Sequence, residues 1–432
     1  MTHEDRTPTS TAETRRSGFT EQALLKSTFY RSLLLFVLGY FYAGPLLPLC
    51  CGQSASGANS TEHLRDAAQF VVRGDLKRAE DEIQMVLANN PEDYRALNLL
   101  GIVRAQQQRR DEAQKLFLQV VRMKPDYAGA HVSLGLLYSE TNRPDQAIAE
   151  FESALHLDPK REDAAKPLVE LLRAQAHGAL KEDQPEKSLS LFIRARKISP
   201  DDQQLNYEFG IVALRMALYE DARAAFEQVL RSDPANASAI YALARAQIGL
   251  AKIPDARKQF EDYVRLRPDD PAGYFGLGLV LHMLEASDDS RRQFEKSIEL
   301  QPAQTESYVQ LGFLSLESGS LDFAEKQFRA ALERDPQNAG ALLGAGRVQF
   351  QRKDYRSAAD SLNAALAADS SARETHYYLG LTYARLGKSK ESAEQLEIAS
   401  RMEREDLDRQ RIILKLLDPA QADAIEKSRQ TP

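Results

Sequence analysis

The chain has 432 residues, and at about 150 residues per domain that length makes about three domains. With 43% apolar and 28% charged residues it has the composition of a folding protein, which excludes a wholly disordered or multi-span membrane chain. The net charge is −7, from 56 Lys and Arg against 63 Asp and Glu, so nucleic acid is not an expected partner: neutralising phosphates needs a basic surface.

Residues 1–31 form a polar leader carrying Arg6, Arg15, Arg16, Lys26 and Arg31. The 20 residues 32–51 carry no charge, a length that can just span a bilayer of roughly 30 Å as a helix. Gly44, Pro45 and Pro48 interrupt this run and leave residues 33–43 continuous, which suits the core of a signal peptide. The residues are compatible with an uncleaved anchor, a signal peptide cut between Ser56 and Ala58, a lipoprotein acylated at Cys50 or Cys51, or a buried core helix. Basic residues precede the run and none follows until Arg65, which keeps the leader in the cytoplasm and translocates the bulk. The expectation is a membrane-anchored protein with its bulk on the periplasmic or extracytoplasmic side, or a secreted periplasmic one after cleavage. The two cysteines, Cys50 and Cys51, are adjacent, so they supply neither a disulfide framework nor a zinc site.

From residue 60 the sequence is periodic. Pro91, Pro125 and Pro159 are 34 residues apart, and Pro200, Pro234, Pro268, Pro302 and Pro336 resume that step after one interval of 41. Phe117, Phe151, Phe192, Phe226, Phe260, Phe294 and Phe328 each lie eight residues before a Pro. Ala113, Ala147, Ala222, Ala256 and Ala324 precede their Phe by four. A column of small residues holds Gly101, Gly135, Gly210, Ala244, Gly278, Gly312, Gly346 and Gly380. Each unit predicts two amphipathic helices, since apolar residues recur three and four apart in stretches such as RALNLLGIVRAQ and DEAQKLFLQVVRM. Gly inside a helix costs roughly 1 kcal/mol, so it needs a packing reason, here close approach of the two helices. Phe fills the space towards the next unit, where burial is worth about 1.5–3 kcal/mol. Pro closes the second helix, whereas Pro144 and Pro185 fall where a second helix begins.

Leu134, Gly135, Tyr138, Ala147, Phe151, Ala154 and Pro159 together make a unit that resembles the tetratricopeptide repeat. Ten such units run through residues 60–406. The resemblance implies an all-α fold, an α-solenoid whose antiparallel helix pairs stack into a right-handed superhelix, with the first helix of each pair on the concave side. The family's tryptophan is absent: Leu97, Ile240, Tyr274, Tyr308 and Leu342 occupy its column, and His131 and His376 fall there as packing residues. The first unit has Ala67 for Gly and Ile83 for Phe, and the last two replace Pro with Ser370 and Arg404, as terminal caps do. Residues 407–432 are expected to form a capping helix and a tail. The fourth unit, residues 162–202, is seven residues too long. The excess, around HGALKEDQPEKS, predicts a longer first helix with a surface loop, or alternatively a hinge.

No Gly-rich phosphate loop, GxSxG elbow, kinase motif set or HExxH pair is present, so no catalytic, metal or cofactor site is expected. In the family, ligands lie along the concave side as extended peptides or helices. In units five to ten the column three before the small residue holds Tyr207, Tyr241, Phe275, Val309, Leu343 and Tyr377. The column after it holds Ile211, Arg245, Leu279, Phe313, Arg347 and Leu381. Tyr, Phe and Arg are enriched at binding hot spots. Tyr207, Tyr241, Arg245, Phe275, Phe313, Arg347 and Tyr377 are therefore candidate peptide-binding residues, with simple packing between first helices as the competing explanation. Two groove chemistries of the family are not seen: the columns of the chaperone-tail carboxylate clamp hold residues such as Asn98, Ile102 and Ser133, and the asparagine ladder of the glycosyltransferase superhelix is absent. The resemblance implies a non-catalytic scaffold whose partners are proteins or peptides with apolar anchors and an acidic group, with the membrane contacted through residues 32–51. Alternatives are an accessory subunit of an envelope-assembly enzyme and a self-assembling, homo-oligomeric repeat protein.

Overall fold

The computed structural model describes the backbone of residues 55–417 and the side chains of residues 59–405. The leader, the apolar run 32–51 and the final residues lie outside the described part, and with them the anchor and signal expectations. Among the described residues no helix is long and apolar enough to cross a membrane.

The described residues form twenty α-helices in ten pairs, with no strand. The chain divides into two compact units, Met1–Val212 and Ala213–Pro432. The first holds α1 (Ala55–Arg73), α2 (Leu76–Asn89), α3 (Tyr94–Gln106), α4 (Arg110–Met123), α5 (Ala128–Glu140), α6 (Pro144–Leu157), α7 (Glu162–Lys181) and α8 (Pro185–Ile198). Helix α9 (Gln203–Arg215) runs through the division. The second unit holds α10 (Tyr219–Ser232), α11 (Ala237–Gly249), α12 (Ile253–Leu266), α13 (Pro271–Met283), α14 (Ser287–Leu300) and α15 (Glu306–Glu317). It continues with α16 (Leu321–Arg334), α17 (Ala339–Gln351), α18 (Tyr355–Ala368), α19 (Arg373–Arg385) and α20 (Ser389–Leu417). From α1 to α8, and again from α10 to α20, each helix packs against the next, as an α-solenoid requires.

The Phe column is the spine of this packing. Phe117, Phe151, Phe192, Phe226, Phe260, Phe294 and Phe328 are each at most 1% exposed. The glycines serve these rings rather than a backbone-to-backbone approach. A Cβ on Gly312 would sit 2.5 Å from the Phe328 ring, and one on Gly344, in the following pair, 2.2 Å from it. Phe328 is thus held between two first helices that lack side chains where it enters. At two positions where Ser replaces Ala on the second helix, its hydroxyl donates to the carbonyl of the small-residue column: Ser290 to Gly278 and Ser392 to Gly380, both at 2.8 Å.

The turns inside the pairs share a left-handed residue. Gly74, Gln108, Asn142, Asp183, Ala217, Ala251, Glu285, Gly319, Lys353 and Gly387 all have φ between 55° and 78°. At Ala251 this lets the N–H of Lys252 return to the carbonyl of Gln247 at 2.8 Å, closing the end of α11.

The column of the missing tryptophan has a polar duty. His131 Nε2 faces the carbonyl of Pro125 at 3.1 Å, Asn206 donates to Pro200 at 2.7 Å, and Tyr274 donates to Pro268 at 3.1 Å. His376 Nε2 faces the carbonyl of Ser370, in the column where the proline is replaced, at 3.2 Å. These side chains do more than pack: they tie the start of a first helix to the end of the preceding connection. His131 Nδ1 lies 2.7 Å from Glu150 Oε2. Both ring nitrogens therefore meet acceptors, which only the imidazolium can satisfy. The Glu150 bond, opposed by burial, raises the pKa of His131.

Two expectations change. The seven extra residues of the fourth repeat lie wholly inside α7, which has 20 residues where α5 has 13. The α7–α8 turn keeps three residues, 182–184, like its counterpart at 141–143, so no surface loop exists there. The buried residues Ala164, Leu168, Leu172, Ala176 and Ala179 make one stripe through the lengthened helix. At the other end, the stretch expected as a separate capping helix continues α20 without a break to Leu417.

Candidate functional site

The first helices of the second unit bring most of the candidate residues to one set of columns. Their inner edges rest on the Phe spine. The half-buried Tyr241 ring of α11 lies 5.5 Å from Phe260 and 5.1 Å from Tyr263, and burial raises its phenol pKa. Tyr263 donates in turn to Asp270, and burial together with that carboxylate pushes its phenol well above the ordinary range. Phe275 of α13 is 5.9 Å from Phe294, and Phe313 of α15 meets Phe328 edge-on at 5.1 Å. Each of these rings is half-buried, so each both packs inward and presents an edge outward. Tyr377 of α19 is 45% exposed and touches Tyr378 at 5.5 Å. Tyr207, on α9, belongs to the first unit and is half-buried there.

The two arginines differ. Arg245, one turn along from Tyr241, is exposed, and it makes no ion pair with any described residue. Arg347 of α17 is engaged. Its guanidinium lies 5.4 Å from the Phe313 ring and 4.8 Å from that of Tyr378, and Nη1 donates to Glu374 at 2.7 Å. Arg347 therefore links α15, α17 and α19, which makes it a packing element rather than the free groove cation expected from its column.

In the first unit the corresponding columns are mixed, apolar at Ile102, Val132 and Leu136 and ion-paired elsewhere. Lys166 pairs with Glu162 at 3.3 Å, and Glu208 with Arg173 at 2.8 Å. Arg161 pairs with Asp163 at 2.6 Å at the start of α7. Val132 is buried, and Asn98 is buried with its Oδ1 unpaired.

Sequence reasoning missed one recess. The connection from α14 to α15 has five residues, 301–305, where the other connections between pairs have four, and α15 has 12 residues. A cavity of about 240 Å³ lies there beside Phe275, lined also by Pro271, Ala272, Ser297, Gln301, Gln304 and Glu306. The 34-residue step from Pro302 to Pro336 is unbroken, so the sequence carries no signal for it. Among the described residues no group of His, Cys, Asp or Glu is arranged to hold a metal ion.

Comparison with known proteins agrees with this architecture. Two sequence families described as tetratricopeptide repeat match the chain, one at residues 69–113, 100–162, 173–236, 314–373 and 351–402, the other at 213–277. Protein O-mannosyl-transferase TMTC3 of Homo sapiens is 29% identical over 151 residues, which cover 34% of this chain and 16% of that protein. The type IV pilus assembly protein PilF of Pseudomonas aeruginosa is 26% identical over 141 residues, covering 31% of this chain and 56% of that protein. This chain thus spans only part of the length of each of these relatives. Among solved structures, yeast Tom70 is 14% identical with a TM-score of 0.41, covering 87% of this chain and 98% of that one. MamA of Desulfovibrio magneticus RS-1 is 22% identical with a TM-score of 0.37, covering 39% of this chain and 95% of that one. The repeated matches extend over more than half of the sequence, and the chain belongs to the tetratricopeptide repeat family.

Proposed function

We propose that this protein is a non-catalytic interaction scaffold that holds a peptide or helical segment of a partner along the first helices of its second unit. The observation that carries the proposal is the aromatic face of Tyr241, Phe275 and Phe313, half-buried in a row of consecutive repeats, with Arg245 exposed beside it and without an ion-pair partner. A surface preformed on packed helices limits the ordering entropy that binding would otherwise cost. The apolar run 32–51 would tether the scaffold to a membrane, or export it, with the repeats on the extracytoplasmic side.

The test is cross-linked pull-down from membranes with mass spectrometry, comparing wild type with Tyr241→Ala plus Phe275→Ala. Loss of specific partners, with the helical signal and melting unchanged, supports the scaffold. Retention of every partner by the folded double variant overturns it. The tether is tested separately: a reporter fused after residue 60 should be active outside the cytoplasm, and activity confined to the cytoplasm overturns that part. A second reading is an accessory subunit that positions a separate envelope-assembly enzyme, favoured by the partial similarity to a type IV pilus assembly protein. Co-purified enzymatic activity would separate it from a scaffold that carries none.

A further inference from the structure

We infer that the recess beside Phe275 is a subsite for one basic side chain, lysine or arginine, of the segment held by the second unit; this rests on the scaffold reading above. The recess measures about 240 Å³, room for a single long side chain. Its walls separate the possible occupants. Phe275 offers an aromatic ring and Ala272 a small apolar patch, which suit a methylene stem and a cation over the ring. Glu306 is exposed at the rim, and one carboxylate oxygen accepts from the N–H of Thr305 at 3.0 Å, leaving the other for a ligand. Gln301 lines the recess with an amide side chain that has no hydrogen-bond partner among the described residues.

Among the described residues Glu306 is the only charged side chain that lines the recess, which lies beside the C-terminus of α14 and the N-termini of α13 and α15. Gln301 caps the end of α14, the negative pole of that helix, whose last turn holds no basic residue. Asp270 adjoins Pro271 and adds a second carboxylate, held by the N–H of Ala272 at 2.9 Å and by the Tyr263 hydroxyl. Arg334 donates to the carbonyl of Pro302 at 2.7 Å but does not line the recess. An acidic occupant would meet the Glu306 carboxylate. A purely apolar occupant would strip water from Glu306 and leave that carboxylate unpaired, which is costly. A basic side chain pairs with Glu306 while its stem covers Phe275. Of the other polar walls, Ser297 donates to the carbonyl of Pro271 at 3.0 Å, and Gln304 accepts from the N–H of Ser307 at 2.9 Å while its buried Nε2 has no partner and can donate to a backbone carbonyl of the bound segment.

Combined with the unpaired Arg245 on α11, two repeats before Glu306, the second unit presents a cation, an aromatic row and then an acidic recess. The matching partner carries an acidic residue, apolar anchors and a basic residue, in that order along the array. The experiment is selection of peptides from a displayed random library by the full-length protein, run in parallel with Glu306→Gln and Arg245→Gln. Circular dichroism melting confirms that each variant is folded. Wild type should enrich peptides with apolar anchors and one recurrent Lys or Arg. Glu306→Gln should lose that basic preference to the library background while keeping the apolar one, and Arg245→Gln should keep the basic preference. Enriched peptides with no recurrent basic position, or a basic preference that survives Glu306→Gln, overturn the subsite and leave the scaffold reading standing. If wild type enriches no peptide, both fall together.

Discussion

The two units share their inner columns and differ in their outer ones. Phe151 in the first and Phe328 in the second are equally buried, each against a glycine of the paired helix. On the outward columns the first unit mixes apolar residues such as Val132 and Ile102 with charged ones, Lys166 and Arg173, that are paired with Glu162 and Glu208. The second places Tyr241, Phe275 and Phe313 and leaves Arg245 without a counter-charge. The lesson is a separation of labour within one repeat: the columns that stabilise the array are repeated, and the columns that meet the outside are free to diverge. Association with a partner is therefore expected to be a property of the second unit.

The largest effects should be the same in both units. Phe151→Ala and Phe328→Ala should each cost about 3–5 kcal/mol, measured by urea denaturation, because each empties a fully buried site between helices. In a quasi-one-dimensional array the damage should stay near the altered repeat, which hydrogen exchange can map. A cost below about 1 kcal/mol in either unit would break the equivalence of the spine. A smaller pair of effects should have opposite signs. Ser188 in the first unit is fully buried and its hydroxyl has no partner, whereas the Ser290 hydroxyl in the second is bonded to Gly278. Ser188→Ala should raise stability by about 1 kcal/mol and Ser290→Ala should lower it by about the same amount. Equal shifts of melting temperature in the same direction would contradict the hydrogen-bond assignment.

The first unit also carries a pH term. The folded state raises the pKa of His131 above its ordinary value of 6.5. Its contribution to stability should thus be complete below about pH 6.5 and disappear as pH rises through the raised value. Stability measured across that window should lose part of its downward slope in His131→Gln. An unchanged slope would show that the imidazolium is not what joins Glu150 to Pro125. The smallest effect expected is at the turns. Ala251→Gly should stabilise by up to about 1 kcal/mol, because glycine adopts the left-handed conformation without the steric cost an alanine bears. The same change at a helical alanine such as Ala246 should destabilise by about as much.

Much of this architecture was legible because the spine repeats a residue type. Phe, Pro and small residues recur at one interval, and that alone predicts paired helices and their order. The left-handed turns repeat just as strictly, yet only Gly74, Gly319 and Gly387 advertise them. The other positions hold Gln, Asn, Asp, Ala, Glu and Lys, so the column is conformational and leaves no compositional trace. The tryptophan column hid its role for a similar reason: histidine, asparagine and tyrosine share a donor group rather than a shape. On the outer face, the sequence placed Arg245 and Arg347 in one column and could not separate them, because Glu374, which engages Arg347, comes from another repeat. The recess at Phe275 leaves the 34-residue interval unchanged, so a periodic pattern could not flag it.

The lengthened α7 shows how such an array can vary in size. Seven residues turn an α-helix through about 700°, about 20° short of two revolutions. The core stripe of α7 therefore returns to nearly the same bearing after the insertion, and the helix gains about 10 Å of length without exchanging its inside for its outside. Five inserted residues would rotate everything beyond them by about 140° and turn apolar side chains into water. An insertion within these helices is consequently admissible where it closes nearly whole turns, as seven residues do, and the repeat measuring 41 rather than 34 residues is such a case.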